Sequence, residues 1–217
     1  MGWMQHLSWF DGVEFEPTTE TEHNAFVCFR SVISENTLTK RQYVKSIVVP
    51  ESKPLSKETL KAYFQFMKDA QIEEGQVRHH HRSNNPSCSL VEAYFAQVNL
   101  YGGHDSQINA KSSSLSSYAH RDSLWVFQHY GHTKSHEPPL SDSTVHFISA
   151  LDATITDADE EGKYGAYLNY VDPELSREEA GRKYYGEEVL KNLERIKTDV
   201  DPDEVFWHPL SIRPAGK

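Results

Sequence analysis

Three side-chain amides are the first residues whose spacing could do chemistry. Gln97 and Asn99 stand two apart in Tyr94 to Tyr101 (YFAQVNLY), a run that reads as a strand and stops at Gly102-Gly103. The two-residue period of a strand puts them on one face with Phe95, and puts Ala96, Val98 and Leu100 on the other. A polar pair opposite an apolar set is the pattern of a sheet lining a polar pocket. It is equally the pattern of a solvated face, and the residues alone leave both open. Gln128, in the strand-like run Leu124 to Tyr130 (LWVFQHY), is the third candidate for a pocket wall.

Other groups are less promising. His79-His80-His81 invites a metal reading, but metal sites need spaced ligands held by outer partners, which three consecutive loop histidines lack. Asp157 to Glu161 (DADEE) has no calcium-loop spacing and reads as a solvated turn. No metal site is assigned. Gly102-Gly103 follows a strand but leads into a turn, so it is no diphosphate-binding loop. Cys28 and Cys88 make no disulfide framework. His120-Arg121 reads as a pair tying a loop to a strand entry.

The elements that must position these residues follow from pattern. Tyr43 to Val49 (YVKSIVV) is β-branched and ends at Pro50, as a strand does. Ser56 caps a helix whose Leu60, Tyr63, Phe64 and Met67 form one apolar face. Ser112 to Ser117 reads as a linker. Thr144 to Thr156 reads as a helix, and Ala166 to Val171 (AYLNYV) as a short strand. Ser176-Arg177-Glu178-Glu179 is a capping box opening a helix that Asp201-Pro202 stops. The aromatic tail Val205 to Pro209 is expected to pack down. The order lacks a βαβ rhythm, so the predicted fold is α+β, an antiparallel sheet with helices on one face. The stretches Val27 to Gln42 and Val77 to about Ser89 fit neither helix nor strand. They read as introns translated in frame or as loop insertions, which surfaces tolerate at small entropic cost.

The chain has 217 residues and a formal net charge of −10. That balance disfavours a nucleic-acid partner and an anionic membrane surface. No apolar run approaches the ~20 residues of a membrane helix. The first residues do not read as a secretory signal. Cellular location is left open.

A set of motifs near the C-terminus narrows the field. Gly165-Ala166-Tyr167-Leu168-Asn169-Tyr170-Val171-Asp172 is followed by Lys183-Tyr184-Tyr185-Gly186, Leu193-Glu194-Arg195-Ile196-Lys197, Asp201-Pro202 and Phe206. This order resembles the berberine-like module of the berberine-bridge-enzyme-like family of FAD-linked oxidoreductases. Leu100 to Gly103 and Ala119 to Arg121 are similar to that family's substrate domain. The resemblance covers roughly residues 43–76 and 93–217. It implies a partial substrate domain over 1–162 and the berberine-like module over 163–217, with the C-terminal helix returning to a flavin domain. Nothing in the chain matches that flavin domain, so the expectation is the C-terminal part of a two-domain enzyme. The flavin-binding half would lie on the unabridged gene product or on a separate chain. Full-length relatives are often secreted.

The resemblance implies FAD as cofactor, a small-molecule substrate, and roles for five residues. Tyr170 matches the family's catalytic tyrosine, a base that removes the substrate's proton. Asn169 matches the residue at the flavin edge, a cofactor contact. Gln97, Asn99 and Gln128 would bind substrate. The position of Asn99 is similar to one where the oligosaccharide-oxidase branch carries an aspartate, and an amide cannot hold that charge. Asn169 and Tyr170 are adjacent, so in an ideal strand they face opposite ways, and one site can use both only if the backbone is irregular there. The alternative is a truncated, non-catalytic relative that at most binds a ligand.

Overall fold

The computed structural model describes residues 26–29, 42–73, 76–79, 89–91, 93–132 and 140–217, of which 26–29, 70–73, 76–79, 89–91 and 93 are described by their backbone alone. His80, His81, Cys88 and the Pro138-Pro139 break lie outside the described residues.

The order of elements is β1 (Phe26–Phe29), β2 (Gln42–Pro50), α1 (Lys57–Asp69), β3 (Ala70–Glu73), β4 (Gln76–His79), β5 (Ser89–Val91), β6 (Ala93–Leu100), a 3-10 turn (Ser113–Leu115), β7 (Ser123–His132), α2 (Asp142–Thr156) and α3 (Arg177–Val200). The main sheet has the order β1-β6-β7-β2, and every neighbouring pair in it is antiparallel. A second, three-stranded sheet, β3-β4-β5, is also antiparallel.

One face of the main sheet is covered by helices. Ile47 and Val49 from β2, Ala96 and Val98 from β6 and Phe127 from β7 form a core with Tyr63 of α1 and Leu151 and Ile155 of α2. Leu60, Phe64 and Met67 pack against it, which is the face their spacing predicts. Tyr63 and His129 are fully buried, at 0% exposure. The Tyr63 hydroxyl lies 3.1 Å from His129 Nε2, and His129 Nδ1 lies 3.1 Å from Asp152 Oδ1. Donation from Nδ1 to the carboxylate leaves Nε2 as acceptor for the tyrosine, so every polar atom of this buried chain is matched.

The helix starts are where the caps predict. Ser56 Oγ accepts from the backbone N–H of Thr59, and Ser141 plays the same part for α2. Ser176 and Glu179 complete a reciprocal capping box. One feature of α3 escapes its periodicity. Gly186 sits at φ 61°, ψ 177°, and kinks the helix there. Only glycine takes that conformation without strain.

Four expectations need correction. Ala166 to Val171 is not a strand. A single bridge joins Gly165 to Val48, and then the chain turns, with Tyr170 N–H donating to Tyr167 O. Its backbone groups are taken instead by Ser46 and Lys183, which accept from Tyr167 and Ala166. The tail does not pack down: Phe206 is 80% and Trp207 59% exposed. The loop that carries them is tied at its base, where Asp201 accepts from the N–H groups of Val205 and Phe206. The linker Ser112 to Ser117 contains a 3-10 turn capped by Ser112. Parts of the two stretches read as neither helix nor strand are paired, Val27 to Phe29 within β1 and Val77 to His79 within β4.

Candidate functional site

The second face of the main sheet carries the polar residues. Cross-strand register places Gln97 opposite Gln128, Phe95 opposite Tyr130, and Asn99 opposite Val126. On the other side of β7, Ser46 lies opposite Gln128 and Val44 opposite Tyr130. The alternation of β6 and β7 thus gathers Gln97, Asn99, Gln128 and Tyr130 on one surface. Asn99 and Gln128 are each only 4% exposed, which favours a pocket wall over a solvated face. Their polar atoms are partly satisfied by one another's neighbours. Gln97 Nε2 donates to Asn99 Oδ1 at 2.8 Å, and the Tyr130 hydroxyl donates to Gln128 Oε1 at 3.1 Å.

The turn after Gly165 borders this surface along β2. It is held from several sides. The Gly165–Val48 bridge fixes its start. His120 Nε2 lies 3.0 Å from Ala166 O. Lys45 meets Asp172 at 2.7 Å and Glu174 at 2.9 Å, and the Tyr184 hydroxyl accepts from Asp172 N–H at 2.9 Å. Gly165 has to be glycine here, because an added Cβ would sit 2.1 Å from His120 Cε1. His120-Arg121 has the tying role read from sequence: Arg121 donates to Ile108 O and to Ser116 Oγ, and stacks over Tyr118.

The turn brings Asn169 and Tyr170 to the same cleft. Its volume is about 380 Å3, and it is lined by both residues with Gln42, Tyr43, Val44, Tyr130, Val171 and Pro173. The irregular backbone that one shared site required is therefore present. Tyr170 reaches the sheet through Tyr130, whose ring stands edge-on to it at 5.5 Å and 83°. Tyr130 also stacks on Phe95 at 4.6 Å. Tyr167 packs on Tyr170 at 5.3 Å and accepts a hydrogen bond from Asn169 Nδ2 at 2.8 Å. Gln97, Asn99 and Gln128 are one step back from the cleft, joined to it by Tyr130.

The electrostatics of this surface favour neutral tyrosines. Burial first, then hydrogen bonding and charge at Tyr170, push the Tyr130 phenol well above the ordinary tyrosine range. Burial pushes Tyr101 up to about 12, with Tyr118, Tyr167 and Tyr170 adding to it. Burial lowers His120 against three backbone carbonyls that favour its charged form.

Tyr130 and Tyr167 are the site residues that sequence reasoning passed over. Tyr130 was within reach, since it follows Gln128 by two on the same strand face. Tyr167 had no such signal, because its position depends on the turn.

A flavin fits only part of what is present. The open cleft with the exposed amide of Asn169 suits the edge of a planar polar ring. Among the described residues no glycine-rich loop leads into a helix to cradle a diphosphate, and Gly103, at φ 101°, belongs to a turn. Among the described residues, no three His, Cys, Asp or Glu side chains are grouped to hold a metal, and no helix is long and apolar enough to cross a membrane.

Comparison with known proteins agrees with this geometry. Residues 166–213 match the family described as "Berberine and berberine like". The chain is 34% identical over 139 residues to a glucooligosaccharide oxidase of Sarocladium strictum, covering 63% of this chain and 28% of that protein. It is 31% identical over 122 residues to a carbohydrate oxidase of Microdochium nivale, covering 56% and 24%. A solved glucooligosaccharide oxidase from Acremonium strictum superposes with a TM-score of 0.66 at 27% identity, over 85% of this chain and 35% of that one. Berberine bridge enzyme from Eschscholzia californica shares the fold, with a TM-score of 0.61 at 16% identity, over 85% and 35%. The chain thus spans about a quarter to a third of the length of the relatives it matches. By its motifs, its fold and its sequence relatives, this chain matches the berberine-bridge-enzyme-like family of FAD-linked oxidoreductases over about a quarter to a third of its relatives' length.

Proposed function

We propose that this chain supplies the substrate-binding face of an FAD-dependent oxidoreductase acting on a small neutral polar molecule, a carbohydrate or another hydroxylated metabolite. The observation that carries the reading is the meeting of Tyr170 and Asn169 at one cleft beside a wall of buried amides. The flavin, held mainly by residues other than those described, would accept the hydride. Tyr170 would take the proton of the substrate hydroxyl as the C–H bond breaks, which demands a base at hydrogen-bond distance from that hydroxyl. Asn169 would meet the edge of the flavin ring. Gln97, Asn99 and Gln128, one step back from the cleft, would orient the substrate along the surface that Tyr130 joins to it: amides both donate and accept, and so match hydroxyl groups of either sense. A wall of neutral amides fits a neutral substrate better than an anion, which would demand cationic partners.

The relatives support this reading through their names, several of which are oligosaccharide oxidases. The test is a chimaera in which this chain replaces the matching region of the glucooligosaccharide oxidase. Anaerobic bleaching of the flavin by a neutral carbohydrate or another alcohol is the expected result. A folded, flavin-loaded chimaera that no such substrate bleaches would sink the proposal and leave a binding role.

A further inference from the structure

We propose that Tyr130 is the positioning residue of this site: its phenol, seated on Gln128, is the hydrogen-bond donor that receives Tyr170 when Tyr170 is ionised. The inference rests on Tyr170 being the base. A tyrosine that takes a proton must first be a phenolate, and a phenolate in a partly buried cleft needs a donor. Tyr130 is placed to be that donor. It lies on β7, paired on one side with Phe95 of β6 and on the other with Val44 of β2. Its ring is stacked on Phe95 with an interplanar angle of 22°, which leaves the hydroxyl as its main moving part.

The resting arrangement is a relay of roles. The Tyr130 hydroxyl donates to Gln128 Oε1 at 3.1 Å, and its ring stands edge-on to that of Tyr170 at 5.5 Å. When Tyr170 loses its proton, rotation about the Cζ–O bond turns the Tyr130 proton from Gln128 to the new phenolate. No proton leaves Tyr130, and the only covalent change is the ionisation of Tyr170. Burial together with Tyr170 keeps Tyr130 protonated, as a donor must be. Among the described residues, the other titratable groups of the surface are Tyr167 against Tyr170, Tyr101 beyond them, and His120 against Ala166 O. From β2, the Tyr43 hydroxyl is bonded to Ser149, and Lys45 is paired with Asp172 and Glu174. A hydrogen bond from a phenol to a phenolate is charge-assisted, and such bonds are about twice as strong as neutral ones.

The experiment places 3,5-difluorotyrosine at position 170 of the full chain, without flavin, and follows its ionisation by 19F NMR. Tyr130→Phe keeps the ring and removes the donor. The expected result is a rise of about one pH unit in the midpoint. Gln128→Leu removes the competing acceptor and is expected to lower the midpoint instead. Circular dichroism establishes that each variant is folded. Midpoints that stay put in both variants, or move together in one direction, overturn the proposal. The readout needs no turnover, so an inactive chimaera would sink the oxidoreductase reading while this measurement still decides the Tyr130–Tyr170 pair.

Discussion

The two faces of the main sheet are built from the same strands and do opposite work. On the helix-covered face, Ile47, Val49, Ala96, Val98 and Phe127 bury apolar surface against α1 and α2, and the one polar chain, Tyr63–His129–Asp152, is matched throughout. On the other face, alternate residues of those strands are Gln97, Asn99, Gln128 and Tyr130, bonded to one another in pairs and bordered by a cleft. Buried amides add little stability over apolar side chains of equal size, since each must recover its desolvation cost through hydrogen bonds. The difference teaches that apolar packing is concentrated on one face and hydrogen-bonding capacity on the other.

The comparison can be broken most sharply at Tyr170. In the flavin-completed chimaera, Tyr170→Phe should slow flavin reduction ~10²–10⁴-fold while the denaturation midpoint stays where it was. Rapid-mixing reduction kinetics and urea unfolding of the same variant check both halves. Leu151→Ala should do the reverse. It empties part of the α2 core, where Leu151 is fully buried, and should cost about 2–5 kcal/mol of unfolding free energy by urea titration.

Gly165→Ala tests the seam between the two faces. The new Cβ would push His120 off Ala166 O, and overpacking of this kind costs about 1–3 kcal/mol. The variant should lose stability and catalytic rate together, which neither of the first two does. A smaller effect is expected at Glu174, whose carboxyl is held below the usual range chiefly by the Lys45 ammonium. A lowered folded pKa means that this contribution is complete above the ordinary glutamate value and is lost as pH falls through the lowered one. Glu174→Gln should therefore lower stability modestly at neutral pH, change little at strongly acid pH where the carboxyl is already protonated, and so flatten the acid limb of a stability-against-pH curve. The smallest effect is expected at Phe206: 80% exposed, it should tolerate Phe206→Ser within about 0.5 kcal/mol.

Much of the scaffold was legible in the chain. Strand alternation over Tyr94 to Leu100, the 3.6-residue stripe of α1 and the capping box at Ser176 are local signals, and each appears where its pattern puts it. The gathering of Gln97, Asn99 and Gln128 on one wall followed from the same period of two. The misreadings share one cause. Ala166 to Val171 has the composition of a strand, yet its hydrogen-bond partners are Ser46 and Lys183 from elsewhere in the chain and Tyr167 within the segment itself. The aromatic tail was expected to pack because it is apolar, yet Asp201 and Lys197 hold its backbone in a loop that leaves Phe206 and Trp207 outside.

The sequence by itself determined the α+β class, the faces of the strands, the helix starts and the family resemblance, because these rest on periodicity, caps and spaced motifs that neighbouring residues carry. The tertiary structure alone decided that Asn169 and Tyr170 share one cleft and that Tyr130 joins them to the amide wall. Both depend on a turn whose shape is set by partners 12 to 127 positions away, Tyr184, His120 and Lys45, and no local pattern records such bonds.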